Sequence, residues 1–263
     1  MKKIVACLIV LITLFSVSAC RKKEYSETID IENGSVKMIA HRGLSGLEME
    51  NTNDAFILAG KHSYYGVESD VRRTADGKFI MCHDETLTRI ANKEIKVEEY
   101  TQEELLKIAL NSTHPEMSYA PTLATLESYI TICKEYDKQA ILELKSNFTE
   151  QEVAKIVEII SGLGYLDKVT FISFNYDNLL FVRKVSPTQK AMYLFSELSN
   201  ETTNKLIEDN FDVAIYHKAL TKKAVEQFHS AGLEVNCWTV DNEKIASKLI
   251  GWGVDYITSN ILE

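Results

Sequence analysis

From residue 36 onward, short β-branched runs alternate with longer stretches whose apolar residues fall at helical spacing. The runs are 36–40, 67–71, 140–144, 169–173, 191–195, 213–216, 234–239 and 255–259. Most are mainly apolar rather than strictly alternating, which predicts parallel strands covered on both faces. Between them the pattern predicts helices over 53–62, 123–136, 150–163, 176–185, 202–209, 222–231 and 243–251. In the last of these, Ile245, Leu249 and Ile250 share one face ahead of Gly251 and Gly253.

Eight strand runs with helical stretches between them, in about 230 residues, have the count and length of an α/β (β/α)₈ TIM barrel. An open doubly wound sheet shares the local pattern and is the alternative. One interruption stands out: Thr74-Ala75-Asp76-Gly77 predicts a tight turn into 79–82, a hairpin rather than a crossover. Residues 84–120 then carry a single helix-like piece, 102–110, and read as a small insertion after the second strand.

The first twenty residues follow a different pattern. Lys2-Lys3 precedes an apolar stretch over 4–17 and then Ser18-Ala19-Cys20, the layout of an export signal. As a helix that stretch rises only about 21 Å, short of the ~30 Å of a bilayer core. Val17-Ser18-Ala19-Cys20 resembles a bacterial lipobox, so 1–19 is expected to be a signal peptide, Cys20 a lipidated first mature residue and 20–35 a polar tether. The protein is then expected on the outside of a bacterial membrane, with the barrel over 36–263. Two or three acyl chains would hold it there, since one alone binds marginally.

Loss of 1–19 removes two lysines and no acid, moving the net charge from -9 to -11. That acidity argues against nucleic acid as a partner, because phosphate backbones reward basic stripes. It does not exclude a small phosphate-bearing substrate met by locally concentrated cations or a metal. Apart from Cys7 in the signal and Cys20, three cysteines remain, Cys82, Cys133 and Cys237. An odd number implies no complete disulfide framework, and these read as small core residues.

In a parallel barrel the reactive face lies at the C-terminal ends of the strands. The first run ends in His41-Arg42, the second in Glu68-Ser69-Asp70, the hairpin in His83-Asp84 and the third run in Glu143-Leu144-Lys145. Later runs end in Ser173-Phe174, His217 and Trp238. Glu68 and Asp70, two apart on a strand, point the same way, and Glu143 on the next strand can join them. Three such acids repel one another unless a cation sits between them, and oxygen-only ligands select Ca²⁺ or Mg²⁺. An imidazole side chain ordinarily titrates near working pH, so His41 and His83 suit general acid–base roles. Arg42 and Lys145 suit a phosphoryl group, one by paired hydrogen bonds and the other as a point charge. Together the set matches metal-assisted displacement at phosphorus.

The motifs resemble those of the glycerophosphodiester phosphodiesterases. They are His41-Arg42-Gly43, Glu50-Asn51-Thr52 with Ala55-Phe56, Glu68-Ser69-Asp70-Val71, Thr74-Ala75-Asp76-Gly77 and His83-Asp84. Pro121-Thr122-Leu123, Glu143-Leu144-Lys145, Ser173-Phe174 and Trp238-Thr239-Val240 follow in order. The resemblance implies a TIM barrel in which Glu68, Asp70 and Glu143 hold a divalent cation. It also implies His41 and His83 as the acid–base pair, with Arg42 and Lys145 on the phosphate and Trp238 and Phe174 on the organic groups. The products would be glycerol 3-phosphate and an alcohol. The main departure is Met49 where the family usually has proline, which loosens the loop but touches no expected ligand.

Glu50 is expected to orient Arg42 or its loop, and Asn51 or Thr52 to cap the following helix. Two other readings compete with the hydrolase. One is a phospholipase-type enzyme acting on lysophospholipids or phospholipids, and the other a lipoprotein that binds phosphodiesters without cleaving them. The complete set of polar site positions favours catalysis over binding alone.

Overall fold

The computed structural model describes residues 27–114 and 119–263. The expected signal peptide and Cys20 lie outside the described residues, as does part of the expected tether. Among the described residues no helix is long and apolar enough to cross a membrane.

The chain order is β1 (Lys37–Ala40), α1 (Asn53–Lys61), β2 (Gly66–Arg73), β3 (Phe79–Met81), α2 (Thr88–Ala91), α3 (Gln102–Leu106) and α4 (Leu126–Glu135). It continues with β4 (Gln139–Leu144), α5 (Glu150–Gly162), β5 (Val169–Ser173), α6 (Tyr176–Val185), β6 (Ala191–Phe195) and α7 (Asn200–Glu208). Then come β7 (Asp212–Tyr216), α8 (Lys222–Ser230), β8 (Val235–Trp238), α9 (Glu243–Ile250) and β9 (Tyr256–Ser259). β1 pairs in parallel with both β2 and β9, so the sheet closes on itself. The result is an eight-stranded parallel TIM barrel, with β3 antiparallel to β2 outside the ring. Closure excludes the open doubly wound sheet.

Alternation along each strand sorts the side chains. Met38, Ala40, Val67, Val71, Ala140, Leu142 and Leu144 face the helices and join the main core. Ile39, Ile141, Ile172, Met192, Leu194 and Ala214 form a separate layer that plugs the barrel interior below the site. Each strand thus buries both faces, as its apolar run requires. A third, smaller core joins Ile80, Leu87, Ile90, Val97, Leu105 and Leu123, holding the chain after β3 against the hairpin.

Helix starts follow cap chemistry more closely than apolar spacing. α4 begins at Leu126 rather than 123 because Thr125 and Ser128 form a reciprocal capping box. α7 begins at Asn200 rather than 202 because Ser199 accepts the Thr202 amide. α3 stops at Leu106, four residues before the expected end, and the Leu110 amide instead donates to the Pro121 carbonyl at 2.9 Å. The Thr74–Gly77 turn forms as expected, with Gly77 at φ 67, a left-handed value that favours glycine.

Candidate active site

β1 delivers His41 and Arg42 to the C-terminal rim, and the chain then turns sharply. Arg42 has φ 56, uncommon for a residue with a side chain, and three backbone contacts fix it there. Its amide donates to Glu68 Oε2 at 2.8 Å, the Gly43 amide to the Glu68 carbonyl at 3.1 Å, and the Asn51 amide to the Arg42 carbonyl at 3.0 Å. Gly43, at φ 75, packs so closely on α1 that a Cβ there would lie 2.7 Å from Ala55.

Glu68 and Asp70 on β2 point into the barrel, and the β2–β4 register sets Glu143 beside Asp70. All three are buried, and one oxygen from each lies within 4.8 Å of the others. Burial raises the pKa of Glu68 well above the usual carboxylate range, and repulsion from Asp70 and Glu143 adds to it. Burial and the Asp70 charge push Glu143 up to about 7, against the pull of Lys145. For Asp70 burial acts in the same direction but is outweighed by Arg42 and Lys145, and its pKa falls below the usual value. Arg42 Nε lies 3.5 Å from Asp70 Oδ2, and Lys145 Nζ lies 2.9 Å from Glu143 Oε1 and 3.8 Å from Asp70 Oδ1. Asp70 Oδ1 is buried without a hydrogen-bond donor. An orphaned carboxylate oxygen among hard oxygen donors fits a divalent cation such as Ca²⁺ or Mg²⁺.

The two histidines are held differently. His41 Nδ1 lies 2.8 Å from Asn260 Oδ1. Asn260 donates its amide to Asp241 at 2.6 Å, so its oxygen faces His41 and Nδ1 carries the proton. Nε2 then points into the site, 3.9 Å from Glu68 Oε2. Burial, reinforced by the Arg42 charge, lowers the His41 pKa to about 4, so the ring is neutral at pH 7. His83 Nδ1 pairs with Asp84 Oδ1 at 2.7 Å. Its pKa is also lowered, by burial first and then by Arg42 and Lys145, while Asp70 and Asp84 oppose the shift.

Glu50 is buried and accepts from Arg42 Nη1 at 2.9 Å. Thr52 is the α1 cap. Asn51, the alternative cap, instead donates to Asp70 Oδ2 at 2.9 Å and accepts from Ser69 at 2.6 Å.

His41, Arg42, Glu68, His83, Glu143, Phe174 and Trp238 line one cavity of about 70 Å³. Phe174 and Trp238 meet edge to face at 5.5 Å and wall one side. The Trp238 indole donates to the Ala214 carbonyl at 3.0 Å, which fixes the ring. Lys145 adjoins the cavity through Glu143. Cys82, Cys133 and Cys237 are buried thiols, as expected of core residues. None of the described residues of 84–114 lines this cavity.

Arg89, Asp241 and Asn260 escape the sequence reading. Asn260 directly follows the last strand, so the strand-end rule applied to that run would have flagged it. Asp241 follows Trp238-Thr239-Val240 by one residue. Arg89 sits on a four-residue helix with no periodic signal.

Similarity to known proteins agrees with this geometry. The family model described as "Glycerophosphoryl diester phosphodiesterase family" matches residues 41–262. A glycerophosphodiester phosphodiesterase of Caldanaerobacter subterraneus subsp. tengcongensis is 28% identical over 226 residues, covering 85% of this chain and 93% of that protein. A phosphodiesterase of Oleispira antarctica, solved in complex with the product sn-glycerol-3-phosphate, is 26% identical with a TM-score of 0.75, covering 85% of this chain and 92% of that one. The crystal structure of a glycerophosphodiester phosphodiesterase from Parabacteroides distasonis is 28% identical with a TM-score of 0.71, covering 86% and 93%. A closed barrel, with acids, imidazoles and cations gathered at its C-terminal rim and a match running from His41 to Leu262, means that the chain belongs to the glycerophosphoryl diester phosphodiesterase family.

Proposed function

We propose that the protein hydrolyses glycerophosphodiesters to glycerol 3-phosphate and an alcohol, using a divalent cation and two histidines. The observation that carries this reading is the meeting of His41, His83 and Arg42 in one cavity with two of three clustered buried carboxylates. Glu68, Asp70 and Glu143 would hold Ca²⁺ or Mg²⁺, and an ion bound there would supply positive charge to polarise a phosphoryl oxygen and to lower the pKa of a nearby hydroxyl or water.

The chain's own groups do the rest. Arg42 and Lys145 bind the phosphodiester anion, and the carboxylates around them keep both side chains aimed at one point. One imidazole takes the proton of the attacking oxygen and the other protonates the leaving alkoxide. The neutral His41 ring can accept a proton at Nε2, and Asp84 stabilises a protonated His83. Trp238 and Phe174 pack against the organic groups and exclude water.

Export and lipidation at Cys20 complete the proposal, placing the enzyme on the outside of a bacterial membrane near lipid-derived phosphodiesters. Purified protein with glycerophosphocholine and Ca²⁺ or Mg²⁺ should release glycerol 3-phosphate, and a chelator should abolish the release. Turnover of lysophospholipid in its place would assign the phospholipase reading. Binding without turnover of either would make the protein a receptor.

A further inference from the structure

One side chain outside the cavity touches both halves of its machinery. Arg89 donates Nη1 to Glu50 Oε2 at 2.6 Å and Nη2 to Glu50 Oε1 at 2.7 Å. Its Nε donates to Asp84 Oδ2 at 2.7 Å. Glu50 Oε1 is also the acceptor for Arg42 Nη1, and Asp84 Oδ1 is the partner of His83 Nδ1. One guanidinium therefore fixes two carboxylates, and each of them holds a different site residue.

We propose that Arg89 is a positioning residue that sets Arg42 through Glu50 and His83 through Asp84, so that the phosphate cation and one acid–base imidazole are aligned together. The inference deepens the phosphodiesterase reading and rests on it for the roles of Arg42 and His83.

An ordinary exposed ion pair would do little, because solvent screens it. Three features set this one apart. Glu50 is only 8% exposed, so its charge is poorly hydrated and depends on its partners. The contact is forked, which fixes the plane of the Glu50 carboxylate as a point charge would not. Finally, Arg89 uses its remaining N–H edge on Asp84, so tilting the fork moves both carboxylates at once. The helix that carries Arg89 is anchored by Ile90, which is buried in the small core behind β3. Arg89 thus links that core to the reactive face without entering the cavity.

The two arms predict distinct kinetic signatures. Asp84→Ala loosens only His83 and should lower kcat with little change in KM. Glu50→Ala loosens Arg42 and should raise KM and weaken binding of sn-glycerol 3-phosphate measured by calorimetry. Arg89→Ala should do both, lowering kcat/KM about 10- to 100-fold, the scale of a misplacement of about 1 Å. Arg89→Lys, which keeps the charge but cannot fork, should recover only part of the loss. Removing Arg89 from a Glu50→Ala/Asp84→Ala background should change nothing further, since residues acting as one unit are non-additive. Lys107→Ala, a surface control on the same segment, should match the wild type.

Wild-type kinetics in Arg89→Ala or Arg89→Lys, or a loss that adds in full to that of the double variant, would overturn the proposal. If Arg89→Ala melts too early to assay, Arg89→Lys carries the same comparison. Each variant is assayed on glycerophosphocholine and on bis(4-nitrophenyl) phosphate. Wild-type activity on the second alone sinks the glycerophosphodiester reading while leaving Arg89 testable. Activity on neither sinks both.

Discussion

His41 presents Nδ1 to Asn260 Oδ1 at 2.8 Å, and Asn260 is itself held by Asp241 at 2.6 Å. This chain fixes the ring's tautomer and leaves Nε2 free to accept a proton toward the carboxylates. Asn260→Ala removes the acceptor and should lower kcat about 10-fold or more, with Tm nearly unchanged. Asn260→Asp keeps an acceptor and should lose less. Equal activity of Asn260→Ala and wild type in steady-state assays would remove Asn260 from the mechanism.

The clustering of Glu68, Asp70 and Glu143 leads to a prediction that needs no substrate. Ions that bind only the native state raise its stability by about 2.7 kcal/mol at a hundred times Kd. Millimolar Ca²⁺ or Mg²⁺ should therefore raise the Tm of the wild type, and Glu143→Ala should abolish the rise. A shift of the same size in the variant would place the ion elsewhere.

Glu50 supplies a pH dependence of stability. Burial opposes its ionisation, but Arg89's hydrogen bonds and the charges of Arg42 and Arg89 outweigh burial and hold its pKa below the ordinary 4.5. A carboxylate with a depressed native pKa contributes stability above its unfolded value and loses it as pH falls through the native one. Glu50→Gln should therefore be less stable than wild type at pH 7 by about 1–3 kcal/mol. The gap should narrow as urea melts are repeated at pH values from 6 down to 3. A gap independent of pH would show that the Glu50 charge contributes nothing.

Gly43 tests the turn that carries Arg42. A methyl group there meets both positive φ and the Ala55 backbone at 2.7 Å. Gly43→Ala should lower stability by about 2 kcal/mol or more and depress activity by shifting Arg42. Urea midpoints and kcat/KM on the same preparation check both effects. An unchanged midpoint would mean that the turn relaxes freely.

Much of this protein is legible before folding, because the information is local. Period and composition mark the eight barrel runs, since a strand buried on both faces must be apolar along its length. The two-residue repeat puts Glu68 and Asp70 on one face, and the strand-end rule finds His41, Arg42, His83, Glu143 and Lys145. Helix starts at Thr125 and Ser199 are less legible, since a cap hydrogen bond can override apolar spacing by two or three residues.

By itself, then, the sequence determined the eight strand runs with the helical stretches between them, the shared face of Glu68 and Asp70 and the reactive types at the strand ends. Tertiary structure decided what no local pattern encodes. The pairing of β1 with both β2 and β9 closed the barrel, and the β2–β4 register set Glu143 beside Asp70. Closure also brought Asn260, 219 residues away, onto His41, and packing of the segment after β3 brought Arg89, 39 residues away, onto Glu50. The physical reason is that periodicity reports which face a side chain takes, whereas a hydrogen-bond partner is fixed only when the ring closes and the loops pack on it.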